Sequence, residues 1–180
     1  MTLIAGSSIQ AIHKIAALSA QEIVAEGMEV EPQLLMFKVE EVDGVQFGAL
    51  IGMVDPRFVH SMQRDANTKD LLLQVVRGLL TGEVEKIVPD VIVHVSESWM
   101  KEAANEAELK QIESGLLNVK DLPGRTEAVT ILLHTLDGSY LSVLPIINLG
   151  GDRRELTMVP LDLASIHNSF GRLSLNKEKT

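Results

Sequence analysis

The amino-acid sequence predicts an α+β domain, a mainly antiparallel sheet backed by helices on one face. Three observations predict it. Two Asp-Gly pairs, Asp43-Gly44 and Asp137-Gly138, each divide flanking runs of apolar and β-branched residues, as tight hairpins require. Val91 to Met100 reads as a further strand of the same composition. Before residue 82, apolar residues recur at gaps of three and four, which is the period of a helix with one buried side.

Taken in order, the first helix starts at a cap formed by Ser7 or Ser8 and runs through Glu26. Its apolar side carries Ile9, Ile12, Ala16 and Ile23, and Gly27 stops it. His13 is a lone histidine on this helix and reads as a surface residue or one satisfied by a neighbour. Residues 33–41 and 45–54 then form the first hairpin. In its second strand Gly48 and Gly52 fall on one side with Leu50 between them, a spacing that lets a helix pack closely. Asp55-Pro56 reads as a cap followed by proline at the first helical position, and Phe58, Val59 and Met62 share a side of the segment to Ala66. Lys69 to Thr81 is a second helical run with Leu72, Val75, Val76 and Leu79 inward.

After the strand at 91, the apolar pattern dissolves. Residues 100–124 read as an excursion that leaves the sheet, forms a short exposed helix with a favourable Glu106 to Lys110 spacing, and returns through Leu122-Pro123-Gly124. Residues 126–136 and 139–147 form the second hairpin, and 154–159 a last strand. Residues 1–165 are thus expected as one domain, and 166–180 as a flexible tail.

Alternation along a strand puts Val91, Val93, Val95, Glu97 and Trp99 on one side. If the runs at 91 and 125 pair antiparallel, Glu97 and Trp99 meet Arg125 and Glu127 at the margin of that valine-rich side. These four residues are the candidate ligand or interaction site. Two readings apply: an ion pair with a tryptophan lid that pins strand register, or a pocket in which Glu127 raises the proton affinity of Glu97.

Ser96-Glu97-Ser98-Trp99-Met100, a divergent loop, and Arg125-x-Glu127 together resemble a pattern of uncharacterised bacterial and phage proteins. The likeness covers about 45 residues, from Asp90 to Thr135. It implies a bacterial, phage or mobile-element setting and a shared corner at Glu97, Trp99, Arg125 and Glu127. No activity, cofactor or partner comes with it.

Composition bounds the function. The chain has 16 basic and 25 acidic residues, and a net charge of −9 repels phosphate backbones and anionic membranes. Aromatics make up 3%, too few for a base-stacking platform. There is no cysteine, no basic and apolar leader and no span-length apolar run, so a cytoplasmic setting is expected. His13, His60, His94, His134 and His167 show no metal-ligand spacing, and phosphate-cradling and serine-nucleophile motifs are missing. No metal or cofactor is expected. Gly150-Gly151-Asp152-Arg153-Arg154 reads as a turn between strands. The favoured function is a non-enzymatic binding or assembly protein acting as a homo-oligomer. The alternative is a small hydrolase or anionic-ligand domain with Glu97 as general base and Arg125 holding the anion.

Overall fold

The computed structural model describes residues 3–63, 69–84, 86–164 and 166–167. Helix α1 spans Gly6–Ala25, followed by strands β1 (Gln33–Val42) and β2 (Val45–Val54). Helices α2 (Pro56–Gln63) and α3 (Lys69–Thr81) follow, then β3 (Val91–Met100) and α4 (Glu106–Glu113). The chain closes with β4 (Thr126–His134), β5 (Ser139–Gly150), β6 (Arg153–Leu156) and the two-residue β7 (Ile166–His167). The sheet runs β2-β1-β3-β4-β5-β6 with every pairing antiparallel, and β7 pairs with the start of β5. Residues 64–68, between α2 and α3, and 168–180, most of the expected tail, lie outside the described residues.

The class is the predicted one, helices packing on an antiparallel sheet. The helices do not share a face, however. Ile9, Ile12, Ala16 and Ala20 of α1 pack on Val93, Val95, Val129, Ile131 and Leu144. On the opposite face, Val59 of α2 and Val76, Leu79 and Leu80 of α3 cover Leu34 and Ile92. The physical reason is the continuous apolar run Leu34-Leu35-Met36-Phe37 in β1. Leu34 and Met36 pack with the second cluster, Leu35 and Phe37 with the first, so this strand needs cover on both sides.

Local chemistry accounts for the boundaries. Asp43 and Gly44 have φ of 52° and 78°, the left-handed pair that a two-residue hairpin needs. The second hairpin is longer, because His134 pairs with Ser139 and leaves residues 135–138 as the connection. Thr135 stitches it: its Oγ1 donates to the Gly138 carbonyl at 2.9 Å and accepts from the Asp137 and Gly138 amides at 3.2 Å. Gly27 ends α1 at φ 78°, with the Met28 amide donating back to the Ile23 carbonyl at 3.1 Å. The start of α1 differs from expectation. Ala5 holds the cap position and Ser8 is buried, so neither Ser7 nor Ser8 caps the helix.

Two further differences come from pairing. Between Leu50↔Phe37 and Gly52↔Met36, Ile51 is an extra residue in β2. This bulge reverses the side-chain alternation, so Gly48 and Gly52 do not share a face. Gly48 receives α1: a Cβ there would lie 2.5 Å from Cγ1 of Ile12. At Gly52 the neighbour is Met36 of β1 instead. Beyond residue 165, Ile166 and His167 pair with Tyr140 and Ser139, so the sheet takes two residues from the segment expected as tail.

Candidate functional site

Glu97, Trp99 and Glu127 come together as alternation predicts. Glu97 lies opposite Val129 and Trp99 opposite Glu127, all on the face that α1 covers. The cation is a different one. Arg154, on β6, donates from Nη2 to Oε1 of Glu97, and the same nitrogen lies 3.7 Å from Oε2 of Glu127. The side chains of Arg154, Glu97 and Glu127 are only 14%, 10% and 20% exposed, so one guanidinium serves two largely enclosed carboxylates. Water screens such a cluster weakly, and its hydrogen bonds are correspondingly worth more than surface ones.

Further hydrogen bonds of the cluster tie down backbone or a neighbour. Oε2 of Glu97 accepts from the Val30 amide at 3.0 Å, and the Glu97 amide donates to the Val30 carbonyl at 3.3 Å. Arg154 Nη1 donates to the Met28 carbonyl at 3.1 Å. Asn148 Nδ2 donates to Oε2 of Glu127 at 3.4 Å. The cluster thus clamps the turn after α1 to β3 and β6.

Arg125 is placed elsewhere, which corrects the expected Glu97–Arg125 pair. Its guanidinium lies over the Trp99 ring, 4.9 Å from the centroid, and its Nη1 donates to the Leu122 carbonyl at 3.2 Å. Trp99 is 40% exposed. The corner therefore has an enclosed ionic half and an exposed half in which a cation–π contact fastens the returning end of the excursion. At the departing end, Lys101 bridges Glu108 at 2.6 Å, and Glu108 also accepts from the Ala104 amide at 2.6 Å. The hydrogen bond from Lys101 holds the Glu108 carboxyl below its usual range. Asn105 caps α4 through the Glu108 amide at 2.8 Å, and Lys110 pairs with Glu106 at 3.0 Å as the spacing predicts.

Arg154 is the residue that sequence reasoning missed. It stood within a turn motif, 57 positions from Glu97, and only the β5–β6 pairing brings it back. The glycines of that motif serve the turn, with φ of 95° at Gly150 and 62° at Gly151.

The histidines follow two patterns. His94 and His134 are diagonal neighbours on β3 and β4, since Ile92 faces His134 and His94 faces Leu132. Burial pushes both down to about 4, and for His134 the charge on His94 adds to the effect. His134 Nδ1 shares a 2.9 Å hydrogen bond with Ser139 Oγ. His13, expected at the surface or satisfied by a neighbour, is buried on α1, where burial lowers its pKa; its Nε2 has no partner among the described residues. Among those residues no three His, Asp or Glu side chains converge as a metal-ligand set. No described helix is long and apolar enough to cross a membrane.

No family model, curated protein or solved structure matches the chain.

Proposed function

We infer that the protein is a non-enzymatic binding and assembly protein that acts as a homo-oligomer. The observation that carries this reading is the large apolar surface along one margin of the sheet. Phe47, Leu50, Ile51 and Met53 of β2 are all exposed, as is Phe58 at the start of α2. Ile51, Met53 and Phe58 meet around one apolar groove that Met36, Val84 and Ile87 extend. Apolar surface gathered in this way marks a partner site more often than an isolated exposed side chain does.

The Glu97 cluster supports the same reading from the other side. Both oxygens of Glu97 already accept hydrogen bonds within the chain, which suits a clamp better than a general base. The excursion offers a second exposed surface, with Leu109 and Leu116 facing outward. A bacterial or phage setting in the cytoplasm belongs to this reading, and the net charge of −9 weighs against a nucleic-acid partner.

Size-exclusion chromatography with light scattering across the micromolar range tests it. The expected mass is a multiple of the single chain, and a single-chain mass throughout would sink the reading. Deleting residues 103–114 separates the two surfaces, because loss of the oligomer would assign self-association to the excursion and retention would assign it elsewhere.

A further inference from the structure

We propose that β2 is the self-association edge, pairing antiparallel with β2 of a second copy across a two-fold axis. The inference rests on the assembly reading and names its partner and its surface. Among the described residues β2 has a strand neighbour on one side only, β1, so it ends the sheet. The main-chain N–H and C=O groups along an outer edge are met best by another strand.

Charge selects which strand. Val45-Gln-Phe-Gly-Ala-Leu-Ile-Gly-Met-Val54 holds no charged residue, in a chain with 16 basic and 25 acidic ones. Sheet edges are ordinarily protected by charge, and this one has none. The strand at the far end of the sheet, β6, is Arg153-Arg154-Glu155-Leu156 and only four residues long. Arg154 is also held in the Glu97 cluster. A head-to-tail union of β2 with β6 would therefore bury charge against an apolar strand, whereas β2 on β2 buries none. For chains of charge −9, contact through an uncharged strip also keeps the repelling groups apart. A strand paired with itself about a two-fold axis closes as a dimer and leaves no further edge of the same kind.

The bulge at Ile51 sets the extent. Val45 to Leu50 is the regular stretch, and a perpendicular two-fold axis requires that paired residues lie on the same face of the joined sheet. An axis at Phe47 satisfies this. It sets Phe47 against Phe47 of the second copy and Val45 against Ala49, an aromatic pair flanked by small apolar pairs. Gly48, Gln46 and Leu50 then lie on the α1 side, where Gly48 already receives Ile12. Past Leu50, Ile51 and Met53 line the apolar groove at the same margin, which extends the contact.

The test uses the whole chain. Phe47→Lys sets like charges against each other at the axis, and Leu50→Lys places a charge on the exposed edge. Each is expected to weaken the dimer about tenfold or more with secondary structure and melting temperature retained. Leu116→Lys, on the excursion, is expected to leave the dimer intact. Because the chain has no cysteine, Val45→Cys/Ala49→Cys reports register without background, and it should form a disulfide-linked dimer under mild oxidation. If the wild type is oligomeric while the lysine variants keep that mass, or the cysteine variant stays unlinked, β2 is not the interface and the assembly reading stands. If the wild type is a single chain at every concentration, both fall.

Discussion

Both carboxylate oxygens of Glu97 are taken within the chain, one by the Val30 amide and one by Arg154. Removing the charge leaves a largely enclosed guanidinium facing Glu127 alone at 3.7 Å. Glu97→Gln should therefore lower stability by about 1–3 kcal/mol in urea unfolding, the cost of orphaning a charged, hydrogen-bonded partner. Arg154→Met should cost a similar amount. The double variant should cost clearly less than the sum, since Glu97 and Arg154 no longer strand each other and the loss at Glu127 is already counted in Arg154→Met. Strictly additive losses would show that the pair is not coupled. The same residues mark how far the site was legible in the sequence. Glu97, Trp99 and Glu127 were found because strand alternation and antiparallel pairing are local rules. Arg125 is adjacent to that corner in sequence, yet it is not the cation that Glu97 meets. Its position one residue before β4 lets it fold over the Trp99 ring, while Arg154 reaches Glu97 from β6.

Helix α1 lies on β2 through Gly48, where no side chain intervenes. A methyl group there would meet Ile12 Cγ1 at 2.5 Å and Cδ1 at 2.7 Å, and Ile12 is itself fully buried. Gly48→Ala should destabilise by about 1–3 kcal/mol, as overpacking of a closed interface does. Gly52→Ala should cost less, because its nearest neighbour is the mobile Cε end of Met36 at 3.0 Å. Parallel thermal unfolding of the two variants checks the order, and equal losses would deny α1 its close seat on Gly48. Regular alternation through the strand predicts a helix approach at both glycines. One inserted residue, Ile51, breaks that alternation, and nothing in Leu50-Ile51-Gly52 announces it. The hairpins, by contrast, were legible in outline. Asp43-Gly44 takes the two-residue turn that its φ preferences dictate, whereas at Asp137-Gly138 the hydroxyl of Thr135 captures the loop and lengthens it.

For the molecule as a whole, burial of His94 and His134 links folding to pH. Both are held to about 4 in the fold, against the 6.5 that is ordinary for a histidine. Between those values the unfolded chain binds more protons, so the fold is favoured in full above pH 6.5 and loses stability as pH falls toward 4. The limiting slope is about 1.4 kcal/mol per pH unit for each group. Urea unfolding between about pH 5 and 6.5, above the carboxylate range, should show this slope, and His94→Gln should flatten it. A flat profile in the parent protein would rule the linkage out. Only the pairing of β3 with β4 makes the two histidines diagonal neighbours, which nothing local in the sequence dictates. Alternation, helical period and turn-forming Asp-Gly pairs were sufficient for the α+β class, the order of elements and the exposed excursion, because each is a property of residues adjacent in the chain. Strand order, the division of helices between two faces, the uncharged strand left at the edge and the arginine that meets Glu97 were decided by the assembled sheet. Those depend on distances in space, and one bulge or one longer turn shifts every partner that follows.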